Sequence, residues 1–253
     1  MILTSLKNPR VIYVRKLLND AGLRKETGCF VLEHKSAIAE LIQKYPYQIE
    51  ALYTTEFQRY TSRNYPVFEV SPHVMEGMTG LKTHQAILAV VKKKSWEYAA
   101  VLQNARTIVI LDHIQSPGNL GAIIRNAAAF KANAVLCIGS ADPYHPEALR
   151  GMGGHCFQVP FWSCSLDEAV EVCQNFSVWG LESKGTHEIS TLSEINRHAF
   201  VLGSEGQGIS QELKKAFPTI QTLRISMSDE VESLNVAVSS GIVLYNLFKI
   251  RKD

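Results

Sequence analysis

The chain has 253 residues, with 26 basic against 24 acidic side chains, 46% hydrophobic and 20% charged residues. That is enough for one large or two small globular domains with real cores, and it excludes bulk disorder and fibrous repeats. No apolar run approaches the roughly 18 residues of a membrane helix.

The net charge of +2 hides a split. Residues 1–100 hold 14 Lys/Arg against 9 Asp/Glu, or +5, and residues 101–253 hold 12 against 15, or −3. A basic first part suits an anionic partner, although a solvated basic surface has the same composition. Five cysteines (Cys29, Cys137, Cys156, Cys164, Cys173) form no CxxC pair and fit no zinc spacing. They read as buried reduced thiols of a cytoplasmic protein, with no metal expected.

In chain order, Asn8-Pro9 reads as a helix start and Gly22 as its stop, with Val11, Val14, Leu17 and Leu18 as the apolar stripe. This stretch lacks the apolar h-region of a secretory signal; its basic, acid-poor character faintly resembles a transit peptide but is better explained by a folded helix. Strands are expected at Cys29–Glu33, Ile49–Thr54, Val67–Val70 and Ala86–Val91, with helices at His34–Lys44, Glu56–Arg63 and Val74–Met78. This alternation predicts a small α/β domain over residues 1–94. A polar stretch, 95–106, is the best linker. From Thr107 a second alternation predicts strands at Thr107–Leu111, Ala134–Ile138, Ser177–Leu181, Ala199–Leu202 and Thr222–Ile225. Their continuous apolar runs suit a parallel sheet covered on both faces. Helices are expected at Leu120–Lys131, Leu166–Cys173, Gln211–Phe217 and Leu234–Ile250.

In such a sheet ligands bind beyond the carboxyl ends of strands. Three loops there combine glycine with polar residues. The first runs from Leu111 to Gly121, with Asn119 at a helix start and Arg125 six residues later, within reach of the same mouth. Taken alone it is a capped helix bearing a surface arginine. The second, Val201 to Ser210, is glycine-rich but neither GxGxxG nor a P-loop. Glu205 there would repel a phosphate and suits a cation, a hydroxyl or an arginine; a tight turn with a solvated Glu is the plainer alternative. The third, Ile225 to Ala237, offers Ser233 as the N-cap of the last helix. Asn235 and Ser239 are then unusual polar positions in an apolar helix.

In this order and spacing the loops resemble the three signature motifs of the SpoU (TrmH-like) RNA 2′-O-ribose methyltransferases, of the SPOUT superfamily. The matching stretches are PGNLGAIIRNA (Pro117–Ala127), LGSEGQGIS (Leu202–Ser210) and ISMSDEVESLNVAVSSGI (Ile225–Ile242). Through SLKNPRV, CFVLE and QAILAVV the first part resembles, more loosely, the small ribosomal-protein-like substrate-binding domain of many members. The resemblance implies a SPOUT domain over 107–253, a parallel sheet with a deep trefoil knot. It implies S-adenosylmethionine on the backbone of Gly203, Ile225 and Leu234, with Leu202, Ser204 and Gly208 beside them. It puts Asn119, Arg125, Glu205, Ser233 and Asn235 around the methyl group and the incoming ribose. Members act as homodimers through the knot region, so a site can draw on both subunits. Ser116 and His113 depart from the common pattern, as do Ala237 and Ser239; the first two bear on substrate contacts.

The basic first part suits RNA capture through Arg10, Arg15, Lys16, Arg24 and Lys25. Large-subunit ribosomal RNA is favoured over tRNA by analogy within the family. Two rivals stand beside the enzyme: an RNA-binding or ribosome-assembly factor without turnover, and a Rossmann-type dehydrogenase. The joint presence of the motif residues argues against the first, and the missing GxGxxG against the second.

Overall fold

The computed structural model describes residues 2–60, 62–80, 86–194 and 196–251; Gln85 of the QAILAVV stretch lies outside them. The chain divides into two compact units, Met1–Ser95 with Tyr144–Gly154, and Trp96–Pro143 with His155–Asp253.

The N-terminal unit opens with β1 (Ile2–Leu3) and α1 (Pro9–Asn19). Asn8 caps α1 by accepting from the Arg10 N–H at 2.9 Å, and Val11, Val14, Leu17 and Leu18 are buried as the stripe requires. The expected stop at Gly22 is absent. The chain breaks two residues earlier, at extended Asp20, whose carboxylate accepts from the Leu23 N–H at 3.1 Å and starts α2 (Ala21–Thr27). Asp20 is the stronger signal because it satisfies an orphan donor, whereas a glycine inside a helix costs only about 1 kcal/mol. Left-handed Gly28 ends α2.

Then follow β2 (Cys29–Leu32), α3 (Lys35–Lys44), β3 (Ile49–Thr54), β4 (Val67–Val70), α4 (Pro72–Thr79) and β5 (Ile87–Lys92). The helix expected over Glu56–Arg63 shrinks to one 3-10 turn, Phe57–Arg59, because Phe57 and Tyr60 alone make no stripe to bury. The sheet order is β1-β4-β3-β5-β2. It is mixed: β1, β4 and β3 run parallel, while β5 is antiparallel to β3 and β2.

The second unit begins inside the expected linker. Residues Tyr98–Gln103 form α5, whose Val101 and Leu102 pack on this unit's core. The elements are β6 (Thr107–Asp112), α6 (Pro117–Ala129), β7 (Ala134–Ile138), β8 (Phe161–Ser163), α8 (Leu166–Val172), β9 (Ser177–Leu181), β10 (His187–Glu188), β11 (His198–Gly203), α9 (Gln211–Ala216), β12 (Gln221–Arg224) and α10 (Val236–Ile250). Between β7 and β8, α7 (Pro146–Met152) counts with the first unit. Every pair in the sheet, ordered β10-β12-β9-β11-β6-β7-β8, is parallel. β8 and β10 are too short to show in sequence. All five cysteines are free and four are buried; burial pushes the Cys137, Cys164 and Cys173 thiols up, the Cys164 value to about 11.

Two buried polar groups organise their units. Arg24 is only 2% exposed, and its guanidinium donates to the Leu17 and Leu18 carbonyls at 2.6 and 3.2 Å, closing the C-terminus of α1. In the second unit, the Trp179 indole N–H donates to His198 Nδ1 at 3.0 Å. Indole can only donate, so Nδ1 accepts and Nε2 carries the proton towards the Ser193 carbonyl, 2.7 Å away. Burial holds the His198 pKa below the usual imidazole value.

Two outcomes follow. Arg24→Leu orphans two helix-end carbonyls and lowers stability in urea titration by about 1–3 kcal/mol. Because the folded His198 pKa is depressed, its contribution is intact above about pH 6.5 and is lost as pH falls below it. Melting temperature therefore declines more steeply from about pH 6.5 to 5 in the wild type than in His198→Gln.

Candidate active site

The order of the parallel sheet locates the site. From central β6 the chain steps outward to β7 and β8, returns to lay β9 beyond a gap, and fills that gap with β11. The loops leaving β6 and β11 thus diverge from adjacent strands, which opens a crevice at their carboxyl ends.

The loop after β11 closes on itself. Ser204 and Gly208 exchange backbone hydrogen bonds of 3.1 and 2.9 Å, and Gly208 has φ +68°. Gly203 lies so close beneath that a Cβ there would sit 2.2 Å from the Gly208 carbonyl carbon. Asp112, 1% exposed at the end of β6, accepts from the Ser210 N–H at 2.6 Å and so ties this loop to the neighbouring strand. Its other oxygen accepts from His113 Nδ1, also at 2.6 Å.

At the crevice mouth three side chains form a directional chain. Asn235 Oδ1 accepts from the Ala237 and Val238 N–H groups, at 2.9 and 3.3 Å, which makes Asn235 the N-cap of α10. Its amide therefore faces outward and donates to Asn119 Oδ1 at 3.1 Å. Asn119 in turn donates to the Glu205 carboxylate. The Asn119 backbone N–H is held by Ser116 Oγ, the N-cap of α6, at 3.3 Å. A hydrogen-bond acceptor, Glu205, thus sits where the β6 and β11 loops meet.

Beside this chain lies a cavity of about 540 Å³. Leu202, Gly203, Ser204, Glu205 and Gly208 line it from the loop after β11. Ile225, Ser233, Leu234 and Asn235 line it from the segment between β12 and α10. Its third wall, Leu181 to Lys184 after β9, is absent from the sequence reading; a Glu-Ser-Lys-Gly run after an apolar strand was the available signal. There Glu182 pairs with Lys214 of α9 at 2.7 Å.

Three expectations need correction. Ser233 lines the cavity without capping α10; Asn235 does that, and polar Asn235 and Ser239 are the cap and first turn of the helix, not oddities within it. Arg125 is exposed, does not line the cavity, and makes no hydrogen bond or ion pair with the described residues of its own chain. Six residues along a helix turn a side chain well off the first one's face, and Glu205 engages Asn119 instead. Of the basic group, Arg10, Arg15, Lys16 and Lys25 are exposed, but Arg24 is buried as a helix-end donor and cannot meet phosphate. Two polar residues that sequence reading passed over fasten α10 to α6: Asn126 Nδ2 donates to the Ala237 carbonyl at 2.8 Å and to Ser240 Oγ at 2.9 Å.

A glycine-built loop, a cavity at a switch point and a polar chain at its mouth define an α/β fold with a ligand-binding site. The profile described as the SpoU rRNA Methylase family matches residues 106–245, and one described as RNA 2′-O ribose methyltransferase substrate binding matches residues 31–97. The chain belongs to the SpoU rRNA methylase family, a family of RNA methyltransferases. It is 28% identical over 249 residues to the 23S rRNA (guanosine(2553)-2′-O)-methyltransferase RlmP of Bacillus subtilis, covering 96% of this chain and 97% of that one. Its fold is similar to an AdoMet-bound rRNA methyltransferase from Sinorhizobium meliloti (TM-score 0.85, 24% identity, 98% and 97% covered). It is also similar to the SpoU methyltransferase AviRb from Streptomyces viridochromogenes, in complex with AdoMet (TM-score 0.84, 21%, 98% and 99%).

A side chain at Gly203 has only backbone to push against. Gly203→Ala is expected to open the Ser204–Gly208 loop, lowering stability by about 1–3 kcal/mol; an unchanged melting temperature would contradict the close packing.

Proposed function

We propose that this protein transfers a methyl group from S-adenosylmethionine to a ribose 2′-hydroxyl of large-subunit ribosomal RNA, as a homodimer acting in the cytoplasm. The observation that carries this reading is the cavity at the β11/β6 switch point with Glu205, Asn119 and Asn235 joined at its mouth. The RlmP likeness over nearly the whole of both chains supports the RNA class.

The cavity suits the donor. Its volume falls within the range of roughly 300–1,000 Å³ common for cofactor sites. Gly208 has open space where a Cβ would stand, which lets backbone groups meet a ligand directly. Gly203, Ile225 and Leu234 would hold it, with Leu202, Ser204 and Gly208 completing the cradle. On this reading the last third of the chain ties the trefoil knot that encloses the cradle. When bound, S-adenosylmethionine supplies an electrophilic methyl group on a sulfonium.

The chain's own residues then have to present the hydroxyl in line and manage its proton. Asn119, locked between Asn235 and Glu205, is a pre-set polar group that needs no reorganisation. Ser233 lies at the same rim. Arg125 offers a planar fork of N–H donors and no acceptor atom, so it serves as a charged donor and not as a base. As a cation it orients the target phosphate and stabilises the developing alkoxide. Standing clear of its own chain's cavity, it serves the site of the partner subunit. Val238 and Tyr245, 51% and 53% exposed and two turns apart on α10, supply an apolar seam for that dimer.

Arg125→Lys, a point charge replacing a planar fork, should retain little methylation of ribosomal RNA; near-normal turnover would sink the role. Mixing inactive Arg125→Ala with inactive Gly203→Ala subunits should restore part of the activity, because one site per hybrid dimer is then intact. Failure to restore any would return Arg125 to its own subunit. Loss of one ribose methylation site in ribosomal RNA from cells lacking this gene tests reaction and target together, and calorimetry with S-adenosylmethionine separates an enzyme from a silent binder.

A further inference from the structure

The cavity is not lined alike all round. Leu223, Ile225 and Val236 give it an apolar side. Among the described residues five charged side chains reach it as well: Glu182, Lys184, Glu205, Lys214 and Glu232. Three of these are exposed, namely Lys184, Glu232 and Glu205, the last already held by Asn119. Glu182 and Lys214 differ. Both are half-buried, and their 2.7 Å ion pair stands in the cavity wall.

Each partner has its own anchor. The Glu182 N–H donates to the Leu223 carbonyl of β12 at 3.0 Å, and the Glu182 carbonyl accepts from the Gly185 N–H at 3.2 Å. Lys214 rides on α9, which Ser210 caps by accepting from the Leu213 N–H at 3.2 Å. Asp112 in turn holds the Ser210 N–H, so the helix is tied to the same loop that lines the cavity. Stability does not account for the pair. With the Glu182 and Lys214 side chains 29% and 36% exposed, such a contact is worth about 0–1 kcal/mol. Nor does it saturate either group, since an ammonium has three donors and a carboxylate about four acceptor positions. A carboxylate and an ammonium side by side complement a zwitterion, which carries one group of each sign on neighbouring atoms. Partial burial strengthens such charge-assisted hydrogen bonds.

We propose that Glu182 and Lys214 bind the α-amino-acid tail of S-adenosylmethionine, the glutamate taking its ammonium group and the lysine its carboxylate. This rests on the donor reading above and sharpens it. The apolar side of the cavity takes the adenosine, and the ion pair selects nucleosides that carry an amino acid.

The test is calorimetry of the full-length protein with S-adenosylmethionine, S-adenosylhomocysteine and 5′-methylthioadenosine, which keeps the nucleoside and lacks the amino acid. Glu182→Ala should weaken the first two by about 10- to 150-fold, the effect of losing one charge-assisted hydrogen bond, and leave 5′-methylthioadenosine unchanged. Lys214→Met, which keeps the apolar stem, should do the same. Glu182→Lys/Lys214→Glu rebuilds the ion pair with its poles reversed. It should melt like the wild type and still bind both tailed ligands weakly, which a merely structural pair would not do. Wild-type affinity for S-adenosylmethionine in Glu182→Ala or in the reversed pair overturns the proposal. An equal loss on 5′-methylthioadenosine overturns it too and leaves the pair as a strut of the cavity wall. If the wild type binds none of the three ligands, the donor reading itself falls, and the proposal with it.

Discussion

The catalytic unit depends on one close approach of backbone to backbone. Gly203 ends β11 directly beneath Gly208, with no room for a Cβ. This contact folds the loop back and presents Glu205 to Asn119 at the edge of the cavity. Asp112 secures the arrangement from the neighbouring strand through the Ser210 N–H. A buried carboxylate is tolerated there because both oxygens accept hydrogen bonds.

The polar chain at the mouth shows why amides occupy these positions. Asn235 must offer its carbonyl oxygen to two backbone N–H groups, which fixes the direction of its amide and hence that of Asn119. The outcome is a defined acceptor, Glu205, at the end of a row of oriented dipoles. A serine at 235 would cap the helix but transmit no such order. Asn126 works on the same logic one layer back, where its donors hold α10 against α6.

Much of the architecture was legible because its elements are long and strongly patterned. The strands Ile49–Thr54, Val67–Val70, Ala134–Ile138 and Ser177–Leu181 fall where the apolar runs place them. What escaped was either short or decided by competition between local signals. Two- and three-residue edge strands carry no periodicity. Asp20 outcompeted Gly22 as a helix boundary because a satisfied donor outweighs a flexible residue. Helix α5 hid in a polar stretch because only Val101 and Leu102 face the core. Of the candidate site, the three glycine-bearing loops were readable as such, but the third wall after β9 and the pairing of Glu205 with Asn119 were not.

The three spaced motifs, a property of the chain as a string, pointed to the family, and the continuous apolar runs after Thr107 to the parallel sheet of the second unit. Composition could not say which basic residues reach solvent. Arg24 belongs to the same charge count as Arg15 and Lys16, yet it closes a helix end because folding places it beneath the Leu17 and Leu18 carbonyls. Nor could spacing say which way Arg125 points, since the turn of α6 carries it away from the mouth that Asn119 faces. Residue type and order set what chemistry is available; the packing of strands and helices decided which groups meet, because hydrogen bonds and burial depend on distances that sequence separation does not encode.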